Sequence, residues 1–378
     1  MSEPPWTSLE DCFGDMPDPR VVGRCDHKLL DIIIIAVCAV LSGAETWAEV
    51  EVFGEVKYEW LKQFLDLPNG IPSHDTFRRV FSLLDAQAFQ ERFMQWVEQT
   101  FRVKRGQVMA VDGKSARRSY DRLNGTDALH LVGAWATANG LALGQRKVEA
   151  GENEIVAIPA LLAQLYLKGC IVTLDAIGCQ QEIARQIVDQ QAEYVLALKA
   201  NQPQLYQDVV EWFAWAEQRD FREVDHTYHQ TINKGHGRIE IRRCWALSDP
   251  QALEALGYHA GWPKLTSLVM VRRERRRGDT IQTETAYFIS SLPPDADRLL
   301  AAVRSHWRIE NNLHWVLDVI FREDDARLRV GDGAENFAVW RRMALNLLRH
   351  HPAHMSLKRK RFKAALDDRF LLELLSQF

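Results

Sequence analysis

The hydrophobic period of the chain changes near residue 106, and this change constrains the fold more than any other feature. From about Lys28 to Arg102, apolar residues recur at the three- and four-residue spacing of helices. After residue 106, the apolar pattern predicts strands at 107–112, 129–137 and 141–149, with Asn139-Gly140 as the hairpin turn between the last two. A helix at 154–167, a strand at 170–175, a helix at 179–190 and a strand at 194–198 are predicted next. Antiparallel strands followed by strand–helix units predict a mixed α/β sheet behind an all-α domain.

The remainder of the chain divides into an insertion, two helices and a tail. Alternating stretches at 238–247, 265–272 and 282–289 predict a β-rich insertion, and helices are predicted from Asp295 to about Phe321 and from about Ala334 to Arg349. We therefore expect segments at 1–103, 104–200, 201–294, 295–350 and 351–378. The last is predicted as a basic tail, in which KRKRFK at 358–363 is either a solvated end or a phosphate contact.

Charge is distributed unevenly along the 378 residues. The net charge is −4, but residues 1–100 hold 8 basic and 17 acidic side chains, which leaves 39 basic and 34 acidic ones in the remainder. The later part is therefore the better partner for a polyanion, although this mild excess permits nucleic acid without requiring it. Average hydrophobic and charged fractions, 47% and 26%, exclude a fibrous or largely disordered chain.

The cysteines and the amino terminus predict an intracellular protein. The six cysteines form no C-x-x-C pair, so we expect reduced structural thiols. The apolar run at 29–44 contains Asp31 and is shorter than the roughly 20 residues of a membrane span, which favours a buried helix. The amino terminus has neither a basic region nor a cleavable apolar segment. We expect no membrane association and a bacterial cytoplasm, and any reducing compartment also fits.

A helix predicted after Ser73 has two interpretations. Ser73 is a typical N-cap, and His74, Arg78 and Arg79 lie early in the helix, as in the recognition helix of a helix-turn-helix. The acidic surroundings favour a bundle helix with two solvated arginines. Residues 1–103 are therefore a candidate DNA-end-binding domain, with the structural interpretation favoured.

Two predicted strands end in aspartate. Asp112 closes the strand in MAVDGKS and Asp175 the strand in VTLDAIG. Carboxylates at the ends of neighbouring strands emerge side by side and repel each other, and a divalent cation relieves that repulsion. Oxygen ligands favour Mg²⁺ or Mn²⁺ over zinc. Either aspartate alone is more typical of a turn cap; for the pair, we favour the metal interpretation.

A third acid lies on the helix predicted from Asp295. Glu310 is four residues from both His306 and His314, so the three share one stripe, while Arg304 and Arg308 form a neighbouring stripe suited to phosphates. The alternative is an ordinary polar surface beside a core face formed by Trp307, Leu313 and Leu317.

Six segments in order resemble one known family. MAVDGKSARRS, VTLDAIGCQ, YVLALKANQP, HGRIEIRR, YFISSL and HWRIENNLHWVLDVIFREDDAR are closely similar to the H-repeat-associated insertion-sequence transposases, and the likeness covers essentially the whole chain. The amino-terminal FGDMPDPR and HKLLDIIIIAVCAVLSGAETW resemble the helical domain that precedes the catalytic core in that family. These proteins belong to the DDE superfamily. The resemblance therefore implies an RNase H-like mixed sheet with flanking helices and a β-rich insertion before the catalytic helix.

The resemblance also implies roles for individual residues. It implies that the catalytic, metal-binding triad consists of Asp112, Asp175 and Glu310. Residues implied to contact DNA are Lys199, Asn201, His236, Arg238, Arg304, His306, Arg308 and Asn311, and Glu240 belongs to the same motif as His236 and Arg238. Wider relatives often place Tyr and Arg before the Glu and Lys seven after it. The corresponding positions here are Val303, His306 and Leu317, so their phosphate contacts fall to Arg304, Arg308 or Asn311.

The implied activity is transposition of an insertion sequence. Two Mg²⁺ or Mn²⁺ ions, about 3.5–4 Å apart, would support hydrolysis at the element ends and transfer of the 3′-hydroxyl into target DNA. Double-stranded DNA is the expected partner, and a homodimer on DNA is expected by analogy. Two alternatives stay open: an inactive transposase-derived DNA-binding protein, and a metal-dependent nuclease that does not join strands.

Overall fold

The amino-terminal part of the chain is helical, as its apolar spacing predicts. The computed structural model describes residues 7–21, 23–101, 106–120, 125, 127–235, 237–248, 253 and 261–376, so the predicted boundary at 103/104 lies outside the described residues. The first helices are α1 Thr7–Phe13, α2 Leu29–Ser42, α3 Trp47–Val56, α4 Tyr58–Leu61, α5 His74–Leu83 and α6 Ala86–Thr100. Ser73 is the N-cap of α5, as predicted, and its hydroxyl accepts the N–H of Thr76 at 3.3 Å.

In the described part of the chain, nine strands form one mixed sheet in the order β3-β2-β1-β4-β5-β9-β8-β7-β6. They are β1 Val108–Ser115, β2 His130–Ala136, β3 Leu141–Lys147, β4 Ile171–Leu174, β5 Glu193–Leu198, β6 His226–Gly235, β7 Arg238–Leu247, β8 Ser267–Arg277 and β9 Thr280–Ser290. Strands β1, β4 and β5 are parallel, whereas β2 and β3 run antiparallel. The order β3-β2-β1-β4-β5 is that of an RNase H-like sheet, with the four strands β6 to β9 added at the β5 edge, and it confirms the predicted fold class.

Helices cover both faces of this sheet. Helices α7 Glu154–Gln164 and α8 Gln181–Asp189 pack on the face that contains Val172, and a later helix, α10 Ala296–His306, packs on the face that contains Ile171. Successive residues of β4 point to opposite faces, so the strand is buried on both sides.

The insertion between β5 and α10 extends the central sheet. It begins with α9 Pro203–Gln218, and its last strand pairs antiparallel with β5, with Val195 opposite Ser290. The β-rich insertion is therefore confirmed, and β7 has its predicted bounds, but the sequence predictions miss α9 and β6. Strand β6 is almost entirely exposed and lies at the sheet edge, which explains its weak apolar pattern.

The long helix predicted from Asp295 to about Phe321 is confirmed in its extent, but it is interrupted by a turn at Trp307 and by one π-helical turn. The structure has α10, a π-helical turn Glu310–His314 and α11 Trp315–Val319. A π turn contains more residues than an α turn and rotates the positions around it. Trp307, predicted in the core face, lies at the turn that ends α10 and is 61% exposed, whereas Leu313 and Leu317 are buried.

The segment predicted as a basic tail is helical and partly buried. After α12 Gly333–His350, two helices follow, α13 Leu357–Leu366 and α14 Asp368–Leu375. Within KRKRFK, Lys360 is buried and donates to the carbonyls of Leu348 and His351 at 2.8 and 2.7 Å, and Arg361 donates to Val40 O at 3.1 Å. These two cations satisfy backbone carbonyls, whereas Lys358 and Arg359 of the same cluster are exposed.

Helix α12 joins the amino-terminal helices to the sheet. The Asn336 side chain donates to the carbonyls of Phe81 and Leu84, both at 2.8 Å, and Asn346 exchanges two 2.9 Å hydrogen bonds with the backbone of Ala142. Both asparagines are fully buried. The amino-terminal helices and the sheet therefore share one core.

The apolar run at 29–44 forms the buried helix α2, as predicted. Among the described residues, no helix has by itself both the length and the hydropathy of a bilayer span, and α2 and α3 reach them only jointly across a 96° bend.

Candidate metal centre

The parallel pairing of β1 and β4 places two aspartates side by side. The last paired residues are Val111 and Leu174, and Asp112 and Asp175 come next on the two strands. The sequence predicts that Asp112 ends β1, but the antiparallel pairing with β2 continues through Gly113 to Ser115. The aspartate therefore has backbone neighbours on β2 while its β4 side opens toward Asp175.

Backbone N–H groups bind one oxygen of each aspartate. Oδ1 of Asp112 accepts the N–H of Gly113 at 3.0 Å, and Oδ1 of Asp175 accepts those of Ile177 and Gly178 at 3.1 and 3.4 Å. Oδ1 of Asp175 therefore caps a turn, as the alternative interpretation predicts. The Oδ2 atoms of both aspartates accept no hydrogen bond from the described residues.

The π-helical turn brings Glu310 and His314 to Asp112. One possible ligand atom from each of the three residues lies within 4.8 Å of the others. Nδ1 of His314 is 3.8 Å from Oδ2 of Asp112 and 3.8 Å from Oε2 of Glu310. Asp175 is outside this 4.8 Å group. Glu310 is half exposed, whereas Asp112 and His314 are buried or nearly so, so the group opens to solvent on the Glu310 side.

The acids repel one another electrostatically. Burial, followed by the charges of Glu310 and Asp175, raises the pKa of Asp112 to about 7. Burial and the charge of Glu154 raise the pKa of Asp175, while Lys199 acts in the opposite direction. A divalent cation removes this repulsion, and carboxylate oxygens are the ligands that Mg²⁺ and Mn²⁺ favour. The residues present therefore fit a divalent metal.

A fourth acid, Glu154, was not predicted from the sequence. It is the first residue of α7, and its carboxylate lies over Gly113, where a Cβ atom would be 2.0 Å from Oε1. His130 connects it to β1, with Nε2 2.8 Å from Glu154 and Nδ1 2.7 Å from the Ser115 hydroxyl. The one available sequence signal was the glycine after Asp112, which leaves space for this side chain.

A buried charge network connects β1 to the segment after the π turn. Lys114, two residues beyond Asp112 and on the same strand face, lies 2.6 Å from Asp318, 3.7 Å from Glu323 and 3.2 Å from Asp324. Glu323 is fully buried and pairs with Arg342 at 3.0 Å. These contacts hold the strand that carries Asp112 against the helical segment that carries Glu310.

Four residues predicted to contact DNA lie in one groove that reaches Glu310. The groove, about 500 Å³ in volume, runs between α10 and strands β7 to β9. The predicted residues that line it are Arg238, Arg304, Arg308 and Asn311, and the insertion adds Arg242, Arg273 and Arg275.

The remaining predicted DNA contacts lie elsewhere. Lys199 is exposed and, together with Asn201, lies beside Asp175; the Asn201 side chain donates to the carbonyl of Ala176. His236 lies outside the described residues. His306 does not face the groove, because its ring is buried against β4 and bonded to the Thr173 hydroxyl at 3.0 Å. Its placement contradicts the predicted DNA contact.

Comparison with known proteins agrees with the family suggested by the motifs. Residues 86–347 match the family model described as Transposase DDE domain, and residues 10–97 match the one described as DDE_Tnp_1-associated. The chain is 40% identical over 371 residues to "Putative transposase YncI" of Escherichia coli O157:H7, which covers 98% of this chain and 94% of that protein. It is 37% identical over 370 residues to "H repeat-associated putative transposase YhhI" of Escherichia coli K12, covering 96% of each.

A third relative is named only by its position. It is the "Uncharacterized protein in dhlA 3'region" of Xanthobacter autotrophicus, 43% identical over 292 residues, which are 75% of this chain and 94% of that protein. The family matches span most of the chain and both the helical and the sheet-containing parts. The chain belongs to the DDE transposase family.

Proposed function

We propose that this transposase cuts the ends of an insertion sequence by Mg²⁺-dependent hydrolysis and joins the released 3′-hydroxyl to target DNA. Membership of the DDE family already implies a metal-using enzyme that acts on DNA. The proposal adds the reaction sequence and assigns catalytic, metal-binding roles to Asp112, Asp175 and Glu310.

One observation carries this assignment. Three acids separated by 63 and 135 positions in the sequence come to the same end of β1 and β4, where the charges of Glu310 and Asp175 both raise the pKa of Asp112. Such mutual repulsion is costly for a structural site and is relieved by a divalent cation. When bound, the cation activates the attacking oxygen and stabilises the leaving oxygen.

The chain supplies positioning for both chemical steps. In the first, a water oxygen bonds to the scissile phosphorus and the 3′ oxygen leaves as a hydroxyl. In the second, that hydroxyl attacks a target phosphodiester, so one bond forms as another breaks and no external energy is needed. The same carboxylates serve both steps because the strands and the Lys114 network hold them in fixed positions.

The arginine-lined groove supports DNA as the occupant. Burial, together with the neighbouring charges of Arg242 and Arg308, lowers the pKa of Arg304, which means that these cations are crowded. Phosphate groups neutralise such crowding and accept paired hydrogen bonds from guanidinium groups. Because Glu310 and Asn311 line the same groove, a strand bound there passes the acids.

Two further features belong to the proposal. Lys199 and Asn201, beside Asp175, would contact DNA from the other side of the acids. A homodimer would assemble on DNA, since two element ends must be brought together. The enzyme would work on the bacterial nucleoid in the cytoplasm.

Incubation of the protein with the DNA that flanks its own gene tests the proposal. With Mg²⁺ we expect cleavage at defined element ends and joined products in added plasmid. Asp112→Asn, Asp175→Asn and Glu310→Gln should each abolish both while leaving DNA binding largely intact, and Asp325→Asn, in an exposed ion pair, is the matched control.

The two alternatives give other results. Defined cuts without joined products would identify a nuclease, and DNA binding without metal-dependent cutting would identify an inactive descendant. In either case binding should weaken steeply as salt increases, because phosphate contacts dominate. Strand transfer retained by Asp175→Asn would refute the residue assignment.

A further inference from the structure

His314 has no role in the proposed triad, yet it points directly into the acids. Its side chain is only 9% exposed, and its ring makes no hydrogen bond to any residue in the described part of the chain. Neither ring nitrogen is engaged by another side chain or by the backbone of the described residues, so the imidazole can bind a group that lies between it and the carboxylates.

The distances indicate what that partner is. Nδ1 is 3.8 Å from both Asp112 Oδ2 and Glu310 Oε2, which is too long for a hydrogen bond. Metal–ligand bonds of about 2.0–2.2 Å place two ligands of one ion about 3–4 Å apart. Nδ1 and each of the two carboxylate oxygens are thus separated by the distance expected for two ligands of one cation.

A neutral imidazole carries a lone pair on one of its two ring nitrogens, and this lone pair is what binds a metal. The π-helical turn places Glu310 and His314, its first and last residues, toward the same point.

We propose that Nδ1 of His314 is a ligand of the divalent cation held by Asp112 and Glu310. The inference rests on the proposed function, since it concerns the same cation. Nitrogen donors bind Mn²⁺ more favourably than Mg²⁺, so a site with one imidazole accepts Mn²⁺ readily while remaining accessible to Mg²⁺.

Pulsed electron paramagnetic resonance of Mn²⁺ bound to the full-length protein tests this inference. The echo envelope of the wild-type complex should show modulation from a coordinated ¹⁴N nucleus. Labelling all histidines with ¹⁵N should convert it to the ¹⁵N pattern without any substitution. His314→Gln should remove it and weaken Mn²⁺ binding at least about tenfold, with a smaller loss for Mg²⁺.

His130→Gln is the matched control. Both ring nitrogens of His130 are already engaged, by Ser115 and Glu154, so this variant should keep the nitrogen modulation. Loss of the modulation in this variant and not in His314→Gln would assign the ligand to the wrong histidine and overturn the inference.

The failure of this inference is distinguishable from failure of the proposed function. Mn²⁺ that binds in wild type, is lost in Asp112→Asn and shows no nitrogen coupling would refute the His314 ligand alone. Mn²⁺ that does not bind, or that binds equally well to Asp112→Asn, would refute both.

Discussion

Replacing Asp112 by Asn should stabilise the metal-free protein. Burial and two neighbouring acids raise the pKa of this carboxyl from 3.8 to about 7, so its ionisation opposes folding. Asparagine has the same shape, can still accept the N–H of Gly113, and carries no charge. The expected gain in the free energy of unfolding equals the cost of keeping this carboxylate ionised in the folded protein.

The magnitude follows from the pKa. Because the folded chain binds the proton more tightly than the unfolded chain, the stability contributed by this group falls as pH rises from about 3.8 to about 7 and stays low above that. The shift corresponds to a cost of about 4 kcal/mol at pH 8 and about 2 kcal/mol at pH 5. The advantage of Asp112→Asn should therefore increase by between about 2 and 3 kcal/mol from pH 5 to pH 8.

Urea unfolding in EDTA at the two pH values measures this difference. Comparing the variant with wild type at each pH cancels the titration of groups that both proteins share. Adding Mg²⁺ at pH 8 should stabilise wild type and leave Asp112→Asn nearly unchanged. A variant that is less stable than wild type at pH 8, or whose advantage does not change with pH, would refute the electrostatic reasoning.

Two further predictions concern the supports of the site. Glu323→Gln leaves Arg342 buried without its carboxylate, so it should lower the unfolding free energy by about 3–5 kcal/mol. The control, Asp325→Asn in an exposed ion pair, should lower it by no more than about 1 kcal/mol. Equal losses for the two variants in urea unfolding would contradict this prediction. Gly113→Ala should displace the Glu154 carboxylate and lower the unfolding free energy by about 1–3 kcal/mol. In a double-mutant cycle, adding Glu154→Ala should recover at least about 1 kcal/mol of that loss. Simple additivity of the two changes would show that the two side chains do not compete for this space.

The sequence predicted those parts of the fold that depend on a regular apolar pattern. Strand β7 alternates apolar and polar residues, and its bounds were predicted correctly. Strand β6 lacks that pattern because it is an exposed edge, and it was missed. The π turn and the turn at Trp307 leave no periodic signature, so the prediction extended one α-helix through both and placed Trp307 in the core. Lys360 and Arg361 are predicted in a tail because residue spacing does not show which carbonyls they meet: those of Leu348 and His351, 12 and 9 positions away, and that of Val40, 321 positions away.

The candidate site was predictable in part, for a related reason. Asp112 and Asp175 follow apolar strands, and that local signal indicates a shared sheet edge. Glu154 and the Lys114 network depend on contacts between distant elements, which composition and spacing do not encode. His306 was grouped with Glu310 by its four-residue spacing, but its ring turns toward Thr173 on the sheet.

Sulfur substitution at the scissile bond tests the central claim most directly. A DNA element end whose 3′ bridging oxygen is replaced by sulfur presents a soft leaving atom, which Mg²⁺ binds poorly and Mn²⁺ binds better. If a cation held by Asp112, Asp175 and Glu310 contacts the leaving atom, cleavage of this substrate should be lost in Mg²⁺ and restored in Mn²⁺, while the unmodified substrate is cut in both. Equal cleavage of the sulfur substrate in the two metals would contradict the account.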